Sequence, residues 1–592
     1  MSSTSSRPNN KLSGVQKAEG HFSPSGFTGL YQVALLVYLC LCLLFFESRT
    51  ISPLMDYLNT TPLKDLMTWL RHAGVVFIAA GLFTKLPSRR NPKAFLLYAI
   101  CLIAAISSYV QRQYGYKTNL SAVLWMLIVY VLFYNLSARI GRGLLHRVLR
   151  LVYIVSAPLW STACLLSLCQ FVLLIGINGP NYASSPLLGG RGFYLNRLFG
   201  LFNTPEYGAI GALVFLLWGG YYLWTSHSRI LRAYVSLICL PLFCYIAVSV
   251  SRNAAVALFL AVFSGAWLLF RGHFSRLPGE VQKPVLRSFL CALGVLSAAV
   301  VLYLLTQRIA EQLPARFAEN AEKEVSIDVA PSEETSVSGS PALSLQSSDT
   351  ARPLAAKALV SPALEDTEQA KVSRTNIRNR DSSLSVSSRQ NPVKQLHPAA
   401  GSTPQQAAPE DNTNLLHREE VESDLSNGRF KIWGDYLSLY REFNLIGVSP
   451  GNSARFIQEH APDLFICTHI KEVYPDNYKR GYVFHPHNGY LKLFASTGFL
   501  GLLCLLLFIG FNAVPVVNYI RRHPDPAPEF VFSFLIVLAG GSAAMFDTEL
   551  FFVMVPTTLI FWTALGILLS IVSADSGTDK EKEKEEKQNR IK

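Results

Sequence analysis

Charge is scarce in this sequence. Asp, Glu, Lys and Arg together make up 16% of 592 residues, against 50% hydrophobic residues. Mean hydropathy is +0.27. So little charge excludes a string of soluble domains, and the apolar residues fall in long runs. The pattern is that of an all-α, polytopic membrane protein. Cysteine outside those runs is nearly missing as well. Nine of the ten cysteines (Cys40, Cys42, Cys101, Cys164, Cys169, Cys239, Cys244, Cys291, Cys504) lie in apolar segments, where they act as small hydrophobes. Cys467 alone stands in a loop, which excludes a disulfide framework or a Cys-based metal site. A cleavable signal peptide is excluded too. The first run follows a polar tail, residues 1–27, and Glu47-Ser-Arg-Thr after it offers no small-x-small site.

The runs predict about twelve spans, near 28–46, 67–84, 94–110, 119–136, 150–176, 207–225, 231–250, 253–270, 286–306, 488–516, 528–546 and 551–573. Lys and Arg then set the orientation. Lys85, Arg89, Arg90 and Lys93 share one side with Arg139, Arg142, Arg147 and Arg150. Arg229, Arg232, Arg271, Arg276, Lys283, Arg287, Arg521 and Arg522 fall on that side too. That side reads as cytoplasmic and holds both termini. The net charge of +13 therefore reflects topology rather than nucleic-acid binding.

The expected domains are a disordered tail at 1–27, nine spans within 28–306, an outer loop at 307–487, three spans within 488–573 and a charged cytoplasmic tail at 574–592. Within the large loop, 320–425 is rich in Ser, Ala, Pro, Gln and Glu and poor in aromatics, so it lacks the apolar area to fold alone. Order resumes over 426–487, where Ile432, Tyr436, Leu439 and Tyr440 recur at helical spacing. A smaller outer loop, 177–206, is dense in turn residues yet carries aromatics, as a packed, site-forming segment would.

The outer side gathers Arg191, Arg197, Arg252, Arg429, His485 and His487 against the positive-inside bias. Arg252 sits in a connection too short to be a solvated turn. Guanidinium groups match phosphate oxygens and stay charged, and a histidine among them can move a proton near neutral pH. The set suits a lipid-linked phosphate or pyrophosphate. The plain alternatives are interfacial anchoring for each arginine, pairing of Arg429 or Arg191 with Glu206, and capping for the histidines. Pro486 is expected as a first helical residue with His487 in the first turn, above a stripe of Phe494, Gly498, Gly501 and Leu505. The two glycines would let another helix pack closely.

His487-Asn488, nine residues, then Gly498-x-x-Gly501 resembles the His-Asn-x9-Gly-x-x-Gly pattern of the O-antigen ligase superfamily of bacterial inner-membrane proteins. That superfamily also holds O-antigen polymerases and O-linked protein oligosaccharyltransferases. Arg197-Leu-Phe-Gly200-Leu-Phe-Asn203-Thr204-Pro205 is similar to its Arg-x-x-Gly-x-x-x-Asn-Pro segment, with Thr204 splitting the last pair. Ser251-Arg252 is similar to its Ser-Arg pair, and Gly428-Arg429-x-x-x-Trp433 with Gly447 to the start of its ordered outer region.

The resemblance implies a glycosyltransferase fold of about a dozen helices and transfer of a glycan from undecaprenyl pyrophosphate to an acceptor hydroxyl, with inversion and without a metal or other cofactor. The acceptor implied for a ligase is lipid A–core. His487 would be the general base, and Arg197, Arg252 and, with them, Arg191 would bind the pyrophosphate. Asn488, His485 and Arg429 would support the acceptor side. The residues themselves agree on the metal, since no Asp-x-Asp site stands on the outer side. Membrane lipids are the remaining partners, and no nucleic acid is expected. A transporter of lipid-linked glycan is the rival of another class, but it calls for polar residues along the middle of several spans.

Overall fold

The computed structural model describes residues 26–84, 91, 93–140, 142–173, 192–194, 197–276, 284–327 and 428–591. All of these but Ser326 and Ile327 belong to one compact unit. The first part of the chain forms α1 (Phe27–Thr50), α2 (Ser52–Thr60), α3 (Leu66–Leu82), α4 (Ala94–Val110), α5 (Tyr116–Ile128), α6 (Leu136–Arg139) and α7 (Arg142–Val172). A hairpin of β1 (Gly192–Tyr194) and β2 (Arg197–Gly200) leads to α8 (Pro205–Thr225), α9 (Arg229–Val248), α10 (Arg252–Ser275) and α11 (Pro284–Ile327). Five short helices follow: α12 (Arg429–Ser438), α13 (Tyr440–Phe443), α14 (Ser453–His460), α15 (Phe465–Val473) and α16 (Pro475–Lys479). The chain closes with α17 (Gly489–Arg522), α18 (Pro528–Ala543) and α19 (Pro556–Ile591).

Among the described residues, nine helices are long and apolar enough to cross a membrane. They are α1, α5 with its continuation to Phe133, α7 to α11, α17 and α19; α3, α4 and α18 are shorter apolar helices. The twelve lie where the apolar runs are. In α17 the buried residues Gly501, Leu505, Phe508, Asn512, Val516 and Tyr519 recur every three or four positions, while Leu503, Leu506, Phe511 and Val514 are exposed. One face packs on the bundle and the other is left for lipid.

Three boundaries differ from expectation. Helix α11 runs on to Ile327, past Pro314 and into the stretch expected to be disordered, because Ala, Glu, Lys and Arg after the apolar run are good helix formers. The rest of that insert, 328–425, lies outside the described residues, as do 426–427 of the stretch expected to be ordered, the tail at 1–25 and Arg191. The last two spans do not nearly touch. Residues 544–555 form a non-helical, mostly buried connection, and α19 starts only at Pro556, where the missing N–H costs nothing. The third difference concerns Tyr440. Ile432, Tyr436 and Leu439 are buried as the periodicity requires, but the break between α12 and α13 turns Tyr440 out, 44% exposed.

The short helices close over their own core of Tyr436, Phe443, Phe456, Ile457, Ile466 and the buried Cys467. The turn between α4 and α5 docks this layer: Tyr114 donates to Glu459 (2.9 Å), Gly451 N–H to Asn119 (2.6 Å) and Asn452 to the Gln111 carbonyl (3.3 Å).

Candidate active site

Two short segments from distant parts of the sequence meet at the end of α18. The connection between α9 and α10 is only Ser249-Val250-Ser251, with Val250 at φ 52°. Ser251 caps α10, so Arg252 is its first residue and is exposed. The next side chain, Asn253, donates to the Ala543 carbonyl at 3.1 Å. The neighbouring carbonyl, Ala544, accepts from Gly489 N–H at 2.7 Å. Ser-Arg-Asn and His-Asn-Gly thus hold consecutive carbonyls at one helix end.

The helix start is shifted from expectation. Gly489, not Pro486, is the first helical residue. Asn488 precedes it, and its Oδ1 accepts from Tyr490 N–H and Leu491 N–H at 3.0 Å each. This is an N-cap, which Asn fills well. His487 therefore sits before the helix, at φ 43°, partly exposed, with His485 exposed. The segment leading in is tied to α12: Trp433 Nε1 donates to the Pro486 carbonyl (2.8 Å) and Tyr436 OH to that of Phe484 (3.0 Å).

Gly498 does not serve helix-to-helix packing as expected. Gly498 has φ 62° and ψ −161°, which breaks α17. The gap is filled by backbone of the outer loop. Phe499 and Leu500 N–H donate to the Asn444 and Leu445 carbonyls (3.2 and 3.0 Å), while Val448 and Ser449 N–H donate to those of Ala495 and Ser496 (2.8 and 3.2 Å). Every group freed by the break named here finds a partner, as buried backbone in a membrane protein must. Gly447, at φ 72°, lies against the same stretch and its carbonyl accepts from Ser107 of α4 (2.9 Å). A Cβ on Gly501 would meet the Thr497 side chain of its own helix.

The Arg197 segment anchors the hairpin. Tyr194 pairs with Arg197 across it, and of Arg197 only the backbone is described. Gly200, at φ 61°, packs against Ser167, whose hydroxyl accepts from Leu201 N–H (2.9 Å). Asn203 accepts from Ser52 (2.7 Å) and donates to the Arg49 carbonyl (3.0 Å), while Thr204 caps α8 and Pro205 is its first residue. The split Asn-Thr-Pro thus divides two tasks, cross-linking and capping.

Arg429 pairs with Glu206 at 3.8 Å, the local partner named as its alternative. The sequence reading passed over Asp547 and Glu549, in the connection between α18 and α19. They are 5% and 1% exposed. A Cβ on Gly489 would stand 2.7 Å from the Glu549 carbonyl and 3.4 Å from that of Asp547, so this connection packs directly on the His487-Asn488-Gly489 turn. Thr557 donates to Glu549 Oε2, and Oε1 has no hydrogen-bond partner. Burial raises both carboxyls above the ordinary range. Glu206 raises Asp547 further, against Arg429 and Lys492, and Asp547 raises Glu549. The signal was in the sequence: two acids two residues apart in a run otherwise apolar.

The architecture is that of a multi-pass, all-α membrane protein with a cluster of polar groups at one end of its bundle. Residues 237–506 match the family model described as O-antigen ligase. That match supports the O-antigen ligase superfamily, which implies an enzyme of the glycosyl-transfer type with lipid-linked glycan and acceptor substrates. No curated protein and no solved structure matches the chain.

Proposed function

We propose that this protein is an O-antigen ligase of the bacterial inner membrane, transferring polysaccharide from undecaprenyl pyrophosphate to a sugar hydroxyl of lipid A–core. Its site faces the periplasm, with both termini in the cytoplasm. The observation that carries the reading is the joint grip of Asn253 and Gly489 on the Ala543 and Ala544 carbonyls, which sets the Arg252 helix start beside the His487 turn. His487 takes the acceptor hydroxyl's proton as that oxygen attacks the anomeric carbon. The bond to pyrophosphate breaks with inversion, and Arg252, Arg197 and Arg191 stabilise the charge left on the phosphates. Asn488 and His485 orient the turn.

Three acids beside an anionic donor would repel it if all were charged. Glu206 is paired with Arg429, and the raised pKa values favour the neutral form of Asp547 and Glu549. The mouth is thereby kept fit for a pyrophosphate without any metal.

His487→Ala and Arg252→Ala should each abolish attachment of O-antigen in a deletion strain while protein in the membrane stays at the wild-type level. Gels of lipopolysaccharide check this. Near-normal attachment by His487→Ala would remove the general base. A core capped with one repeat would indicate a polymerase, and intact lipopolysaccharide with unglycosylated periplasmic proteins an oligosaccharyltransferase.

A further inference from the structure

A second site lies at the other end of the bundle. This end is marked by Arg271, whose Nη2 donates to the Arg521 carbonyl at 3.0 Å. A cavity of about 950 Å³, counting its open mouth, lies between α1, α7, α8, α18 and α19. Its interior is aliphatic and aromatic, with Leu39, Leu145, Trp218 and Ile536 all buried.

The cavity's polar groups are not scattered. His146 of α7, Tyr221 of α8 and Glu529 in the first turn of α18 line it together. The Tyr221 hydroxyl donates to Glu529 Oε1 at 3.2 Å and stands 3.4 Å from His146 Nδ1, with the two rings stacked. Arg150 follows His146 by one turn on the same face of α7. Glu529 has no ion pair among the described residues, and the Tyr221 hydroxyl is its hydrogen-bond donor there. A half-buried carboxylate beside an apolar chamber is costly without a cation. The proposed transfer chemistry, at the far end, makes no use of any of these groups.

We propose that this cavity binds one phospholipid whose head carries an ammonium group. The ammonium meets Glu529, Arg150 lies on the phosphate side, and an acyl chain fills the space lined by Leu39, Leu145 and Ile536. A carboxylate and a guanidinium on neighbouring helices complement a zwitterion, whereas a purely anionic head would face Glu529 unfavourably. Trp218, Tyr221 and Tyr222 fall near the C-terminal end of α8, the part of a span where aromatic side chains meet head groups. The site would join α7, α8 and α18 through a lipid at the end opposite the reaction.

Native mass spectrometry tests this on the full chain, re-extracted from nanodiscs made with equal amounts of phosphatidylethanolamine and phosphatidylglycerol. The wild type should retain one phosphatidylethanolamine by about tenfold over phosphatidylglycerol. Glu529→Gln keeps the shape and an acceptor for Tyr221, and should bring retention to the supplied ratio. Ser533→Phe, which fills the chamber, should strip both lipids. Wild-type retention in the supplied ratio overturns the proposal. So does retention of a polyisoprenoid in place of phospholipid, or an unchanged preference in Glu529→Gln.

Discussion

Glu549 carries a buried carboxyl oxygen without a partner, at a place where the backbone is pressed against Gly489. Its folded-state pKa is raised by burial and by Asp547, above an unfolded value of about 4.3. The folded chain therefore holds that proton more tightly than the unfolded one. The resulting stability is complete below about pH 4 and is lost as pH rises toward the raised value. Glu549→Gln is neutral at every pH and lacks this dependence. Measured in detergent from about pH 5 to about pH 8, the wild-type Tm should fall relative to that of Glu549→Gln. A difference that stays constant across the range would mean that the carboxyl is not raised.

At the scale of elements, the break in α17 is the feature that joins bundle and outer layer. A helix interrupted at membrane depth needs foreign backbone, and Asn444–Ser449 supplies it. Gly498→Ala would put a Cβ against the Leu445 and Ile446 backbone at a positive φ. The backbone conformation alone costs about 1–3 kcal/mol, and the clash adds to it. Gly510→Ala in the same helix has nothing within 4 Å and removes a flexible residue from a helix interior. Gly498→Ala should lower Tm by several degrees and reduce transfer, whereas Gly510→Ala should leave both near the wild-type level. Fluorescence-detected thermal unfolding of the two proteins side by side decides it. Equal Tm values would mean that the loop does not hold the break.

At the scale of the whole molecule, the described helices, but for the last two residues of α11, belong to one compact unit, and the insert at 328–425 is rich in Ser, Ala, Pro, Gln and Glu. Its composition cannot bury enough apolar area to fold alone. Deleting about 328–420 should leave a protein that inserts, extracts as one peak in size-exclusion chromatography and keeps its transfer activity. Loss of inserted protein would show that the insert supports the fold.

The positions of the apolar helices and the order of the four motifs were legible in the sequence, because hydrophobic runs and short spacings are local. So was the pairing of Arg429 with Glu206, as one of two options. What the chain alone did not reveal was long-range. The outer loop patches the broken helix by backbone hydrogen bonds, which have no side-chain signature. Asp547 and Glu549 hid inside an apolar run that reads as span. The meeting of Asn253 and Gly489 on Ala543 and Ala544 depends on three helix ends converging, and no local pattern encodes that. Local composition determined the membrane helices and supplied the candidate residues; only tertiary packing, which converges distant helix ends, decided which of those residues stand together.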